Sequence, residues 1–148
     1  MKKSTLAIGA ILSATMVMAC GADSTHPTGG GGGGIDLTGS YTATQWKTTG
    51  GAGQTDQIVA GSTLTITLNP NNTTSGHLHL VASGNNPAVD ADLVGLWSQA
   101  GSTITFTQQA DTFVRNIAWG MVANGPKWSL EGDQVFSGTR IQITLTQS

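Results

Sequence analysis

Apolar and polar residues alternate strictly in three segments of this chain, and this pattern constrains the fold more than any other feature of the sequence. In segments 63–68, 103–107 and 141–146, leucine, isoleucine or phenylalanine alternates with threonine or glutamine. Successive side chains of a β-strand point to opposite faces, so a two-residue period predicts strands with one buried and one wet face. No window of about 11 residues after Ile35 has a convincing helical period, so any helix is expected to be short.

Turn-forming residues separate these segments at short intervals. Asparagine combines with proline, glycine or a second asparagine at 69–72, 84–87 and 124–126, and such combinations are typical of tight turns. Together, the segments and turns predict eight strands at 38–48, 61–68, 76–83, 91–98, 102–108, 112–119, 127–136 and 139–147. We therefore expect an all-β fold, an antiparallel up-and-down meander. We expect this meander to close into a barrel, because closure pairs its first and last strands and leaves no strand edge unpaired.

The N-terminus has the pattern of an export signal that ends at the single cysteine. Two lysines precede an apolar stretch over residues 6–18, which is shorter than the ~20 residues that span a bilayer. The segment Val17-Met18-Ala19-Cys20 resembles the lipobox of bacterial lipoproteins. This resemblance implies that residues 1–19 are a lipoprotein signal peptide and that Cys20 receives the lipid. The alternative is an ordinary signal peptide whose cleavage site happens to contain a cysteine.

The residues after Cys20 predict a tether and then one domain. Residues 20–35 include six consecutive glycines and lack the apolar residues that a core requires, so we expect a flexible linker in which His26 is solvated. The barrel domain is predicted over 36–148. By resemblance to envelope lipoproteins, the Gly21 that follows the cysteine implies a lipid anchor in the outer membrane, with the protein facing the periplasm.

Composition favours a non-catalytic protein that does not bind nucleic acid. Charged residues make up 9% of the chain, and four basic residues stand against eight acidic ones after Cys20. This argues against a nucleic-acid partner and against attachment to anionic lipid through basic residues. The sequence contains none of the common nucleophile, phosphate-binding or zinc-protease motifs. We expect no enzymatic activity, no cofactor, no internal disulfide and a monomeric state.

The predicted barrel is similar in layout to the lipocalins and their relatives over residues 36–148. The segment 37–41, Leu-Thr-Gly-Ser-Tyr, resembles their Gly-x-Trp opening strand, with Tyr41 in place of the tryptophan. In that family the ring packs on an arginine near the last strand, which implies Arg140 as its partner here, with Arg115 second. Segment 95–103 also resembles the first avidin hairpin, but it lies too late in the chain for biotin-binding residues to be carried over. The lipocalin resemblance implies a small apolar or amphipathic ligand inside the barrel.

Aromatic residues are the best candidates for such a ligand site. The chain has four tryptophans, at 46, 97, 119 and 128. The predicted strand 112–119 would place residues 113, 115, 117 and 119 on one face, so an arginine there could hold a carboxylate or stack on an indole. The proposed ligand-binding residues are Trp97, Phe106, Phe113, Arg115, Trp119 and Trp128. The alternative is that these rings fill the core and that the barrel is a structural or protein-interaction module.

Two histidines, His77 and His79, form the one pair with metal-ligand spacing. On a strand they would emerge from the same face, with Leu78 and Leu80 pointing inward. Asp90 and Asp92 could join them only through the fold, and we expect these acids to cap turns instead. A solvated outer face is therefore the preferred interpretation, and we predict no metal site.

Overall fold

A computed structural model describes residues 35–83 and 86–148 of the 148-residue chain. The predicted signal peptide, Cys20 and most of the predicted tether lie outside these residues. The described chain contains ten strands and one helical turn, which in order are β1 (Gly39–Gly50), β2 (Gly53–Asp56), β3 (Thr63–Leu68), β4 (Thr73–Leu80), β5 (Val89–Asp92), β6 (Gly95–Ala100), β7 (Thr103–Gln108), α1 (Phe113–Asn116), β8 (Trp119–Asn124), β9 (Lys127–Phe136) and β10 (Thr139–Gln147).

Eight of these strands close into an antiparallel barrel. Its order is β1, β3, β4, β6, β7, β8, β9 and β10, and β10 pairs with β1 to complete the circle. The closing pair runs from Tyr41 opposite Gln147 to Thr49 opposite Arg140, interrupted by a bulge between Ala43 and Gln45. The two remaining strands lie beside the barrel, β2 on β1 and β5 on β4. The predicted up-and-down barrel is confirmed.

The two-residue period determines which side chains form the core. In β3, β7 and β10 the apolar residues are buried, while most threonines between them are exposed or half-buried. Gly95 marks a close strand contact, because a Cβ at this position would lie 2.2 Å from the carbonyl oxygen of Thr107. The largest fully buried side chains are Trp46, Trp119, Tyr41, Leu64, Ile66, Leu68, Leu78, Leu93, Ile104, Ile117, Leu130 and Leu145.

The two ends of the barrel are built differently. One end carries three tight turns and both ends of the folded segment, and its N-terminal part packs inward. Leu37 is buried, the Tyr41 hydroxyl donates to its carbonyl oxygen at 2.8 Å, and Gln147 Nε2 donates to the Thr38 carbonyl at 2.7 Å. The opposite end carries the longer connections, among them the segment 109–118 with α1. This opposite end is called the α1 end below.

The predicted strand 112–119 is wrong. Residues 113–116 form α1 instead, and β8 runs from Trp119 to Asn124. The chain has to cross the barrel mouth between β7 and β8, and one helical turn lets Val114 and Ile117 point into the core, where both are buried. The prediction also missed β2, whose residues are all exposed and carry no alternating apolar pattern, and the predicted strand 91–98 joined the end of β5 to β6.

Within the part of the chain that the structure describes, no helix has the length and apolarity needed to cross a membrane.

Candidate functional site

Four of the six predicted ligand-binding residues lie inside the barrel or at its α1 end, namely Arg115 on α1 and three aromatic residues. Phe106 on β7 and Trp119 on β8 are buried, and their ring centroids are 6.0 Å apart in a tilted arrangement. Phe113 on α1 is half-buried and packs on Trp46 of β1, with centroids 5.5 Å apart. The first pair joins β7 to β8, and the second joins α1 to β1. The sequence interpretation named Phe106, Phe113 and Trp119 but not Trp46, and a role of these rings in ligand binding stays a prediction.

The side chains around these rings leave little free volume. A methyl group added at Gly132 of β9 would lie 2.8 Å from Cγ2 of Ile117 and 3.2 Å from Cζ3 of Trp119. Such separations are well inside the 3.5–4.0 Å at which carbon atoms pack best. The inner face of β9 is therefore in tight contact with the residues opposite it, as in a filled protein core.

The other two predicted tryptophans, Trp97 and Trp128, lie toward the end of the barrel that carries the tight turns. Trp97 on β6 is half-buried, and its indole N–H donates to the carbonyl oxygen of Asn69 at 3.0 Å. Trp128 on β9 is also half-buried, and its backbone N–H donates to the Gln147 side chain at 3.0 Å. The six predicted residues therefore do not line one common site.

The arginines lie on the surface. Arg115 on α1 pairs with Asp111 at 2.7 Å, one helical turn earlier. Arg140 does not pack on an aromatic ring, so the expected contact with Tyr41 is wrong. Because Ile141, Ile143 and Leu145 point inward along β10, Arg140 points outward, where its Nε donates to Asp133 at 2.7 Å. This ion pair lowers the pKa of Asp133.

Buried polar groups at the α1 end were missed by the sequence interpretation. Trp46 Nε1, both amide atoms of Gln108 and Thr112 Oγ1 are buried, and none has a hydrogen-bond partner among the described residues. Gln108 ends β7 on its inward face, two residues after Phe106, and only 5% of it is exposed. The sequence could have revealed this site, because Gln108 is a polar residue at a position where the two-residue period of the strand points inward.

The two histidines face outward, as predicted, and both acids lie beside them. Asp90 and Asp92 are on β5 and do not cap turns. Nδ1 of His77 lies 3.2 Å from Asp92 and its Nε2 lies 3.3 Å from Asp90, while Nδ1 of His79 lies 2.8 Å from Asp90. Hydrogen bonds to Asp92 and Asp90 raise the pKa of His77. Within 35–83 and 86–148, no group of three histidine, cysteine or acidic side chains is arranged to hold a metal ion.

A shallow polar groove lies on the outer face where β1, β8, β9 and β10 meet. Its volume is about 420 Å³. Small residues, among them Ala118 and Gly120, leave space there, and longer side chains surround it. Its polar lining side chains are Gln45, Glu131, Asp133, Gln142 and Thr144. This groove can offer hydrogen bonds to a partner, but it contains no aromatic ring.

No protein-family model and no curated protein matches this chain.

Proposed function

We propose that this chain is a non-catalytic lipoprotein of the bacterial envelope, anchored by lipid on Cys20 in the outer membrane and facing the periplasm. Its barrel acts as a monomeric structural or protein-interaction module, through its outer surface. The observation that supports this choice is the packing of the interior around Trp46, Phe106 and Trp119. The lipobox-like segment and the glycine-rich residues after it support the anchor.

The alternative proposal is that the barrel holds a small apolar or amphipathic ligand. Ligand pockets usually enclose about 300 Å³ or more. Ring contacts within the Phe106–Trp119 pair and within the Trp46–Phe113 pair occupy part of the interior. The close approach of Gly132 to Ile117 and Trp119 reduces the remaining space for such a ligand. The packing therefore favours a function performed at the outer surface, where the polar groove lies.

The anchor is tested by expressing the full chain in a Gram-negative host and separating soluble from membrane fractions. We expect the wild-type protein to incorporate radiolabelled palmitate and to sediment with outer membranes, because two or more acyl chains give stable attachment. Cys20→Ser should abolish labelling and move the protein to the soluble periplasmic fraction. Ser24→Ala, in the same segment, should leave both unchanged. A Cys20→Ser protein that stays in the membrane would contradict the lipid anchor.

The barrel's role is tested by native mass spectrometry of the soluble Cys20→Ser protein. We expect a monomer without any adduct that carries an apolar chain, both as purified and after exposure to an envelope lipid extract. A co-purified organic molecule with an apolar chain, lost on denaturation, would show that the barrel is a ligand carrier and not a filled module. The conclusion about the anchor would not change.

A further inference from the structure

Three side chains at the α1 end carry buried polar atoms that have no hydrogen-bond partner in the described part of the chain. Trp46 is 1% exposed, Gln108 5% and Thr112 7%, and the unpaired atoms are the indole nitrogen, both amide atoms and the hydroxyl oxygen. They are placed by β1, β7 and the residue before α1. Phe113 joins two of them, because it follows Thr112 in the chain and its ring packs on the ring of Trp46 at 5.5 Å.

Such groups are rarely left unsatisfied in native proteins. Buried polar atoms almost always have a hydrogen-bond partner, and a donor or acceptor without one is penalised by its lost hydration. The chain itself shows the contrast. Trp119 is as deeply buried as Trp46, and its indole N–H donates to the Val114 carbonyl of α1 at 3.1 Å. The indole of Trp46 and the amide of Gln108 therefore call for a partner that residues 35–83 and 86–148 do not provide.

The unpaired atoms determine the chemistry of that partner. The indole of Trp46 and the amide nitrogen of Gln108 are donors and need an acceptor, whereas the amide oxygen needs a donor. The charged groups of α1 and its approach, Arg115 and Asp111, are paired with each other and substantially exposed. A charged guest would lose its hydration without a buried counter-charge, so a neutral guest is favoured. The tight packing nearby limits it to a few heavy atoms.

We infer that the α1 end contains a recess, covered by α1, which binds a small neutral molecule that both donates and accepts hydrogen bonds. Gln108 and Trp46 are its binding residues. Water and a small carboxamide share this chemistry and are the two sources that an experiment has to distinguish. The inference does not depend on the lipid anchor or on the action of the outer surface.

The first test is the stability of Gln108→Met in the soluble Cys20→Ser protein. Methionine preserves the length of the side chain but removes all its hydrogen-bonding groups. If a guest satisfies the amide, its loss should raise the unfolding equilibrium constant, by roughly tenfold. If the amide is unsatisfied, the substitution should lower that constant instead, which would overturn the inference. Gln45→Met, exposed on the outer face of β1, is the control and should change the constant less than threefold.

The second test is NMR of the tryptophan indole N–H groups, with Trp46 assigned from Trp46→Phe. A bound guest predicts either a nuclear Overhauser effect from long-lived water to the Trp46 indole N–H, or a saturable shift of that signal with acetamide as the probe. The Trp97 indole, which is paired with a carbonyl, should not shift. The first result identifies water as the guest and the second a carboxamide. If neither result is observed, the inference of a recess is wrong, even if Gln108→Met fails to fold.

Discussion

The substitution Gly132→Ala measures how completely the barrel interior is filled. Gly132 lies on the inward face of β9, and a Cβ there would be 2.8 Å from Cγ2 of Ile117 and 3.2 Å from both Cγ2 of Ile143 and Cζ3 of Trp119. Its backbone is not in the left-handed region, so alanine can adopt the native backbone conformation. The added methyl group therefore reports on space alone.

The expected magnitude follows from two opposing effects. Replacing glycine with alanine in a strand restricts the unfolded chain and stabilises by about 0.4–1 kcal/mol. Adding a methylene-sized group to a well-packed core costs about 1–3 kcal/mol. The closest contact here is with a branched side chain that is itself buried, so it cannot move aside easily. We expect Gly132→Ala to lower the free energy of unfolding by about 1–2 kcal/mol.

The matched control is Gly120→Ala on the neighbouring strand β8. Gly120 faces outward, and its added Cβ would have its nearest neighbour, the carbonyl oxygen of Glu131, at 3.7 Å, an ordinary contact distance. Urea unfolding of both variants in the soluble Cys20→Ser protein, followed by tryptophan fluorescence, should give unchanged or slightly raised stability for Gly120→Ala. Equal stabilities of the two variants would refute the reasoning, because they would show that the interior accommodates another methyl group.

Three further predictions concern single side chains. Burial raises the pKa of Tyr41 to about 12, so the absorbance of this single tyrosine should titrate well above the ordinary pKa of about 10. The stability of the protein should fall as pH rises from the ordinary to the raised pKa, and Tyr41→Phe should not show this fall. At neutral pH, Tyr41→Phe should lose about 0.5–1.5 kcal/mol of stability, because it lacks the hydrogen bond to the Leu37 carbonyl. Hydrogen bonds to Asp92 and Asp90 raise the pKa of His77. The folding stability that these bonds contribute is therefore complete below about pH 6.5 and is lost as pH rises through the raised pKa. NMR titration should show the raised midpoint for His77, and this pH dependence of stability should disappear in His77→Gln. Arg140→Ala removes an exposed ion pair and should leave the urea unfolding midpoint almost unchanged, whereas a large fall in that midpoint would contradict the exposed placement of this pair.

The barrel could be predicted from the sequence because its strands expose one face and bury the other. Residues such as Leu64, Ile66 and Ile143 alternate with polar partners, and this pattern survives into the structure because these apolar side chains are buried in the core. The prediction failed where the chain leaves the wall. Phe113 and Trp119 have the spacing of one strand face, but the residues between them have to cross the barrel mouth, and one helical turn makes that crossing.

The candidate sites were predictable only in part, because they depend on which residues the fold brings together. The Phe106–Trp119 pair follows from two inward-facing positions on neighbouring strands. The contact of His77 with Asp90 and Asp92 could not be derived, because it depends on the pairing of β5 with β4, which the sequence does not specify. Gln108 occupies an inward position in an apolar strand, and that conflict between polarity and register was readable in advance.

The most direct test of the filled barrel is a crystal structure of the soluble Cys20→Ser protein determined under xenon pressure. Xenon enters empty apolar cavities and is located by its anomalous scattering. We predict no xenon site among Trp46, Phe106 and Trp119, because their neighbours already occupy that space. An ordered xenon atom between these rings would show a cavity that can hold an apolar ligand, and it would contradict the filled interior on which the proposed function depends.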